Sequence, residues 1–155
     1  MTILENGRFK ALIEVTGVVA VVLGLVFVGL ELNQNTAVIS AQAIFELNAS
    51  SNEAFREVAQ NPDLADLLDR GYADPDSLNA NELDRFNYWL RAVFNANESA
   101  YLYYKKGLIE EGDFAGWREA LCALLQRKGA EQFWTGNLGN YAEGFVDDVN
   151  DWCFD

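Results

Sequence analysis

Asn87, Arg91, Asn95 and Glu98 stand four, four and three positions apart, with Tyr101 three further on, so a helix would bring them to one face. A guanidinium, a carboxylate and two amides in a row could hold a small polar ligand. The same row could form a charged hydrogen-bond network bracing neighbouring helices, and two absences favour the brace. The chain has no histidine, which removes the usual general base, the usual zinc ligand and the usual sensor of mild acid. It also shows neither a nucleophile motif nor metal-ligand spacing. We therefore expect no catalytic residue, no metal, no cofactor and no enzymatic activity.

Other groups have chemical potential but simpler explanations. The acidic stretch from Asp74 to Asp84 resembles a calcium loop, yet Leu78 occupies a required ligand position and the closing Glu is missing. Turn and capping chemistry accounts for these carboxylates. Cys122 and Cys153 are the only thiols and form no CxxC pattern. In an oxidising compartment they would pair and close a long loop; in the cytoplasm they would be two small buried apolar residues. Tyr88, Trp89, Tyr101, Tyr103 and Tyr104 read as core aromatics rather than a ligand cage.

The element that organises the chain is Val15–Leu30, sixteen residues without a charge. With the lead-in from Ala11, only Glu14 interrupts the apolar run between Lys10 and Glu31. At about 1.5 Å per helical residue, twenty positions cover the roughly 30 Å of a bilayer core. A transmembrane helix over 11–31 follows, after an N-terminal tail of residues 1–10. The nearest Ala-x-Ala match, Ala41-Gln42-Ala43, lies too far beyond the run for signal-peptide cleavage. Glu14 sits one turn inside the interface, four residues from Lys10, where it can pair and stay hydrated; an ion-binding or packing role is the alternative for this intramembrane charge. Thr16, Ala20 and Gly24 at four-residue spacing, with Gly17 beside them, place small side chains on one stripe, which suits close helix–helix packing in lipid.

Arg8 and Lys10 precede the span, and the next cation is Arg56. Counting these charges puts the N-terminus in the cytoplasm and the rest outside, a slight preference for an extracytoplasmic domain on the cell (inner) membrane. The residues after Leu30 hold 22 of the 24 acidic and 9 of the 11 basic residues, so their net charge of −13 equals that of the whole chain. Such a surface repels phosphate backbones and anionic headgroups, arguing against nucleic acid as a partner.

No proline or glycine occurs between Glu31 and Pro62, so the span should run on as a helical stalk over 32–60, with Val38, Ala41, Phe45, Phe55 and Val58 at helical spacing. Asn48-Ala49-Ser50-Ser51-Asn52 would either bend it or be carried through. An acidic helical domain over 61–155 follows. Asn61-Pro62-Asp63 starts a short helix that Gly71 should end. Asn79 and Glu82 form a capping box for a long helix stopped at Gly107. Asp113 should cap a helix through Lys128, with Gly129 just beyond it. Phe133-Trp134 and Asn140–Trp152 supply two further segments. The fold class is all-α: an N-terminal transmembrane helix extending into a stalk, then a small helical bundle.

Three groups of residues carry a family likeness. Glu14 enters a Gly- and Val-rich span ending in Gln34-Asn35-Thr36; Asp74-Pro75-Asp76-Ser77-Leu78 follows; and Arg91-Ala92-Val93-Phe94-Asn95 leads to Glu98, Ala100-Tyr101, Tyr104 and Gly107-Leu108. With Trp117 and Phe133-Trp134, these resemble an uncharacterised bacterial family of small single-span membrane proteins with an all-α soluble domain. The resemblance covers nearly the whole chain and implies architecture alone. Relatives carry arginines just after the span, which would put the domain in the cytoplasm; this sequence has none there.

The functional expectation is a membrane-anchored, non-enzymatic interaction or scaffolding protein. Its partners would be membrane lipid and other transmembrane helices, from copies of itself or a larger complex. The alternatives are a homo-oligomeric pore, for which Glu14 and Thr16 alone are thin support, and a small-ligand sensor domain.

Overall fold

The computed structural model describes residues 3–154, with side chains described at Lys10 and from Ile13 onward. Arg8, which enters the topology argument, therefore lies outside the described side chains. Among the described residues six α-helices make the fold: α1 (Ile3–Gln60), α2 (Pro62–Ala73), α3 (Ala80–Lys105), α4 (Glu111–Leu125), α5 (Lys128–Asn137) and α6 (Glu143–Cys153). Single 3₁₀ turns occur at Pro75–Ser77 and Leu138–Asn140, and no strand occurs among the described residues. The chain is an all-α bundle with a long apolar helix at its N-terminal end, as its hydrophobic periodicity requires.

Two compact units divide between Ala41 and Gln42. In the first, α1 presents Ile13 to Leu30 with every residue exposed. The second begins with the C-terminal part of α1, which is no free stalk. Ala43 and Leu47 are buried there, and Ser51, Ala54 and Val58 continue the same stripe half-buried, at spacings of four, four, three and four. The expected stalk stripe is thus offset: Val38, Ala41, Phe45 and Phe55 are exposed, and Val58 alone packs inward. The helix passes through Asn48–Asn52 unbroken, because those side chains take no backbone hydrogen bond that would compete with it.

Local chemistry fixes the helix ends where side chains cap them. Asn61 Oδ1 accepts from the Leu64 N–H at 3.1 Å with Pro62 in the first helical position. The capping box of α3 is complete, Glu82 N–H donating to Asn79 Oδ1 and Asn79 N–H to Glu82 Oε2, both at 3.0 Å. At its other end Gly107 adopts φ +68°, and Leu108 and Gly107 N–H reach the Tyr103 and Tyr104 carbonyls at 2.9 Å, a Schellman closure.

Two expected stops are not stops. Gly71 lies inside α2, where a Cβ would stand 2.6 Å from Phe86 Cδ2. Gly129 lies in the first turn of α5, where a Cβ would collide with the Gly71 carbonyl oxygen. These glycines let α2 and α5 cross in backbone contact under the Phe86 ring. The expected helix through Lys128 is divided accordingly into α4 and α5. It starts at Glu111 rather than being capped by Asp113, which sits in its first turn.

The core of the bundle is aromatic. Phe94 stacks on Phe133 and Trp134 at centroid distances of 5.6 and 5.2 Å, and Tyr101, Phe114, Phe145 and Trp152 form the adjoining layer. Tyr88, counted with the core aromatics in the sequence, is 71% exposed. Cys122 on α4 and Cys153 at the end of α6 are disulfide-bonded, their Cα atoms 4.9 Å apart.

Candidate functional site

The polar row of α3 does not converge on a ligand. Arg91 and Asn95 are exposed, Asn87 is half-buried, and no hydrogen bond or ion pair joins them to each other, to Glu98 or to Tyr101. Glu98 instead reaches across to α6, its Oε1 accepting the Ala142 N–H at 2.7 Å. Ala142 occupies the N-cap position and has no side-chain oxygen, so the carboxylate from α3 stands at a helix start that lacks its own cap. Tyr101 is buried, with its hydroxyl 2.8 Å from the Gly144 carbonyl and 3.0 Å from Asp148 Oδ2. Burial chiefly pushes that phenol above its ordinary range, and the neighbouring Asp148 adds to it. Asp148 goes the other way, held below the usual carboxylate range by the Lys105 ammonium at 2.8 Å. This constellation fastens α3 to α6.

The acidic turn is likewise structural. Asp74 pairs with Lys128, and Asp76 lies 3.6 Å from the same ammonium, tying the turn to the start of α5. Among the described residues no group of three His, Cys, Asp or Glu side chains is placed to hold a metal ion.

What the bundle does offer is a cavity of about 310 Å³ between α1, α2, α3 and α4, at the lower end of the range for ligand pockets, about 300–1,000 Å³. Its walls are apolar and strongly aromatic. Trp89, Ala92, Val93 and Ala96 come from α3, Trp117, Ala120, Leu121 and Leu124 from α4, Tyr72 from α2, and Ser50, Ser51, Ala54 and Phe55 from α1. Trp89 Nε1–H donates to the Tyr72 hydroxyl at 2.9 Å, so two of the wall aromatics fix each other's orientation. Arg127, which is not on the lining, stands 4.5 Å from the Tyr72 ring centroid.

One polar residue lies deep in this wall. Asn97 is only 8% exposed and lines the cavity, and its Nδ2–H donates to the Val93 carbonyl at 2.9 Å. That carbonyl can only accept, so the amide nitrogen must face it and the oxygen must point the other way. Sequence reasoning passed Asn97 over for its charged neighbour Glu98. The usable signal was its phase: Phe86, Leu90, Phe94, Asn97 and Tyr101 fall on one buried stripe of α3, where an amide is out of place.

Glu14, Thr16, Gly17, Ala20 and Gly24 all lie on the uncovered part of α1, and the glycines have open space where a Cβ would be. The chain matches no protein-family model, no curated protein and no solved structure.

Proposed function

We propose that this protein is a single-span, membrane-anchored interaction module without catalytic activity. Its apolar helix crosses the cell membrane at about Ala11–Glu31 and associates there with other helices, from copies of itself or a larger complex. The observation that carries this reading is the fully exposed apolar surface from Ile13 to Leu30, which a helix in water would have to cover and a helix in lipid would not. The stripe of Thr16, Gly17, Ala20 and Gly24 supports association, since lipid supplies little hydrophobic drive and close backbone approach must replace it. The Cys122–Cys153 bond supports an extracytoplasmic domain, because disulfides persist in oxidising compartments. It agrees with Arg8 and Lys10 before the span and opposes the cytoplasmic placement that the family resemblance implies.

Native mass measurement of the full chain in mild detergent tests this proposal. The wild type is expected as an assembly of more than one chain, and Gly24→Leu as dispersed chains with the soluble helices intact. A wild type that is a single chain, with no crosslinked neighbour in its own membrane, would overturn it.

A further inference from the structure

The cavity beside Asn97 carries an inference that does not depend on the membrane reading. A buried polar group without its hydrogen-bond partner is costly, and native structures hold few of them. Among the described residues no donor reaches Asn97 Oδ1, and no side-chain nitrogen or oxygen there is at once fully buried and unpaired. That oxygen is therefore open, and the space the residue lines is the cavity. The Ser51 hydroxyl and the Trp117 indole N–H, both on the cavity lining, make no hydrogen bond within the described residues either.

We propose that this cavity binds a small, neutral, flat aromatic molecule carrying one hydrogen-bond donor, its ring against Trp89 and Trp117 and its donor on Asn97 Oδ1. The aromatic walls favour a planar ring over a branched aliphatic one. A volume of about 310 Å³ admits a fused two-ring system. The acidic surface, −13 over the chain, disfavours an anion. Asn97 is the one buried polar residue on the lining, and its open atom can only accept, so a ligand that meets it must donate. Ala92, Ala96 and Ala120 leave the room that larger side chains would fill.

Indole and N-methylindole share a ring system and differ in the donor, which makes them the probes. The full chain in lipid nanodiscs, methyl-labelled at alanine, is titrated with each and followed by NMR. Indole is expected to shift the Ala92, Ala96 and Ala120 methyl signals saturably, and N-methylindole to need about tenfold more, as the loss of one hydrogen bond to a buried group predicts. Asn97→Leu should abolish that preference, and Ala96→Phe should abolish binding of both probes. Absence of a saturable shift at these methyls, equal affinity of the wild type for the two probes, or a preference that survives Asn97→Leu would overturn the proposal. Should Asn97→Leu fail to fold, the comparison of the two probes on the wild type still decides it.

Discussion

A single letter in this chain does opposite things at different places, and glycine shows it best. Gly107 has the positive φ that only a residue without Cβ adopts cheaply, and it ends α3 as a sequence reader would expect. Gly71 and Gly129 have ordinary helical backbone but no room for a Cβ, because that of Gly71 would enter the Phe86 ring and that of Gly129 would meet the Gly71 carbonyl. Nothing in the sequence around Arg70-Gly71 or Lys128-Gly129 distinguishes a stop from a contact: the causes are Phe86 for Gly71 and the Gly71 carbonyl for Gly129, both on other helices. Gly129→Ala would press a methyl into the Gly71 carbonyl, which is backbone and cannot swing aside. We expect a loss of about 2–3 kcal/mol, the upper part of the usual overpacking cost. Gly116, exposed in the middle of α4 with open space around its missing Cβ, provides the contrast. Gly116→Ala should stabilise by about 0.5–1 kcal/mol through helix propensity alone. Denaturant unfolding of the two variants measures both signs, and a Gly129→Ala protein as stable as the wild type would mean that the helices part without cost.

At the scale of elements, what was legible is what is encoded locally. The caps of α2 and α3 rest on side chains three residues from the groups they satisfy, so Asn61, Asn79 and Glu82 announce them. The starts of α4, α5 and α6 carry no side-chain cap of their own, and their boundaries were correspondingly misplaced or vague. At the start of α6 the carboxylate that accepts the Ala142 N–H comes from Glu98, 44 residues earlier, which no local pattern reveals. The inward stripe of α1 was also hidden, because Ala43, Ser51 and Ala54 are small while Phe45 and Phe55 are conspicuous but exposed. The α4–α6 contact carries a covalent staple as well. Cys122 and Cys153 are 31 positions apart, and in the chain-entropy picture closing a loop of that size contributes about 3–4 kcal/mol. Reduction should therefore lower the thermal midpoint markedly while leaving the helix content of the folded state unchanged. Protein taken from its own membrane should accept no thiol label until reductant is added, then two per chain. Labelling without reductant would show that the thiols are free and remove the support they give to an extracytoplasmic domain.

At the scale of the whole molecule the chain is acid-rich, and Arg70, Lys105, Arg118, Arg127 and Lys128 are each paired with specific carboxylates. Lys105 holds Asp148 below the usual range, the Arg70 guanidinium does the same for Glu82 at 2.7 Å, and the Tyr104 hydroxyl, followed by Arg118, does so for Glu111. A carboxylate whose folded pKa is depressed contributes stability that is complete above its unfolded value, near pH 4, and is lost as the pH falls through the folded value. Lys105 and Lys128 are pushed up by Asp148 and Asp74, so what they contribute is complete below the ordinary lysine range and is lost only as the pH rises through their folded values. Between these limits the two side chains that ordinarily titrate are missing, since the chain has no histidine and its two cysteines are bonded. Stability should therefore be level from about pH 5.5 to about pH 9 and should fall below about pH 4.5, as the carboxylates that fasten α3 to α2, α4 and α6 are protonated. Circular-dichroism melting across this range reads it directly. A step in the thermal midpoint between pH 6 and pH 7 would overturn this expectation, because the chain has no histidine to produce it.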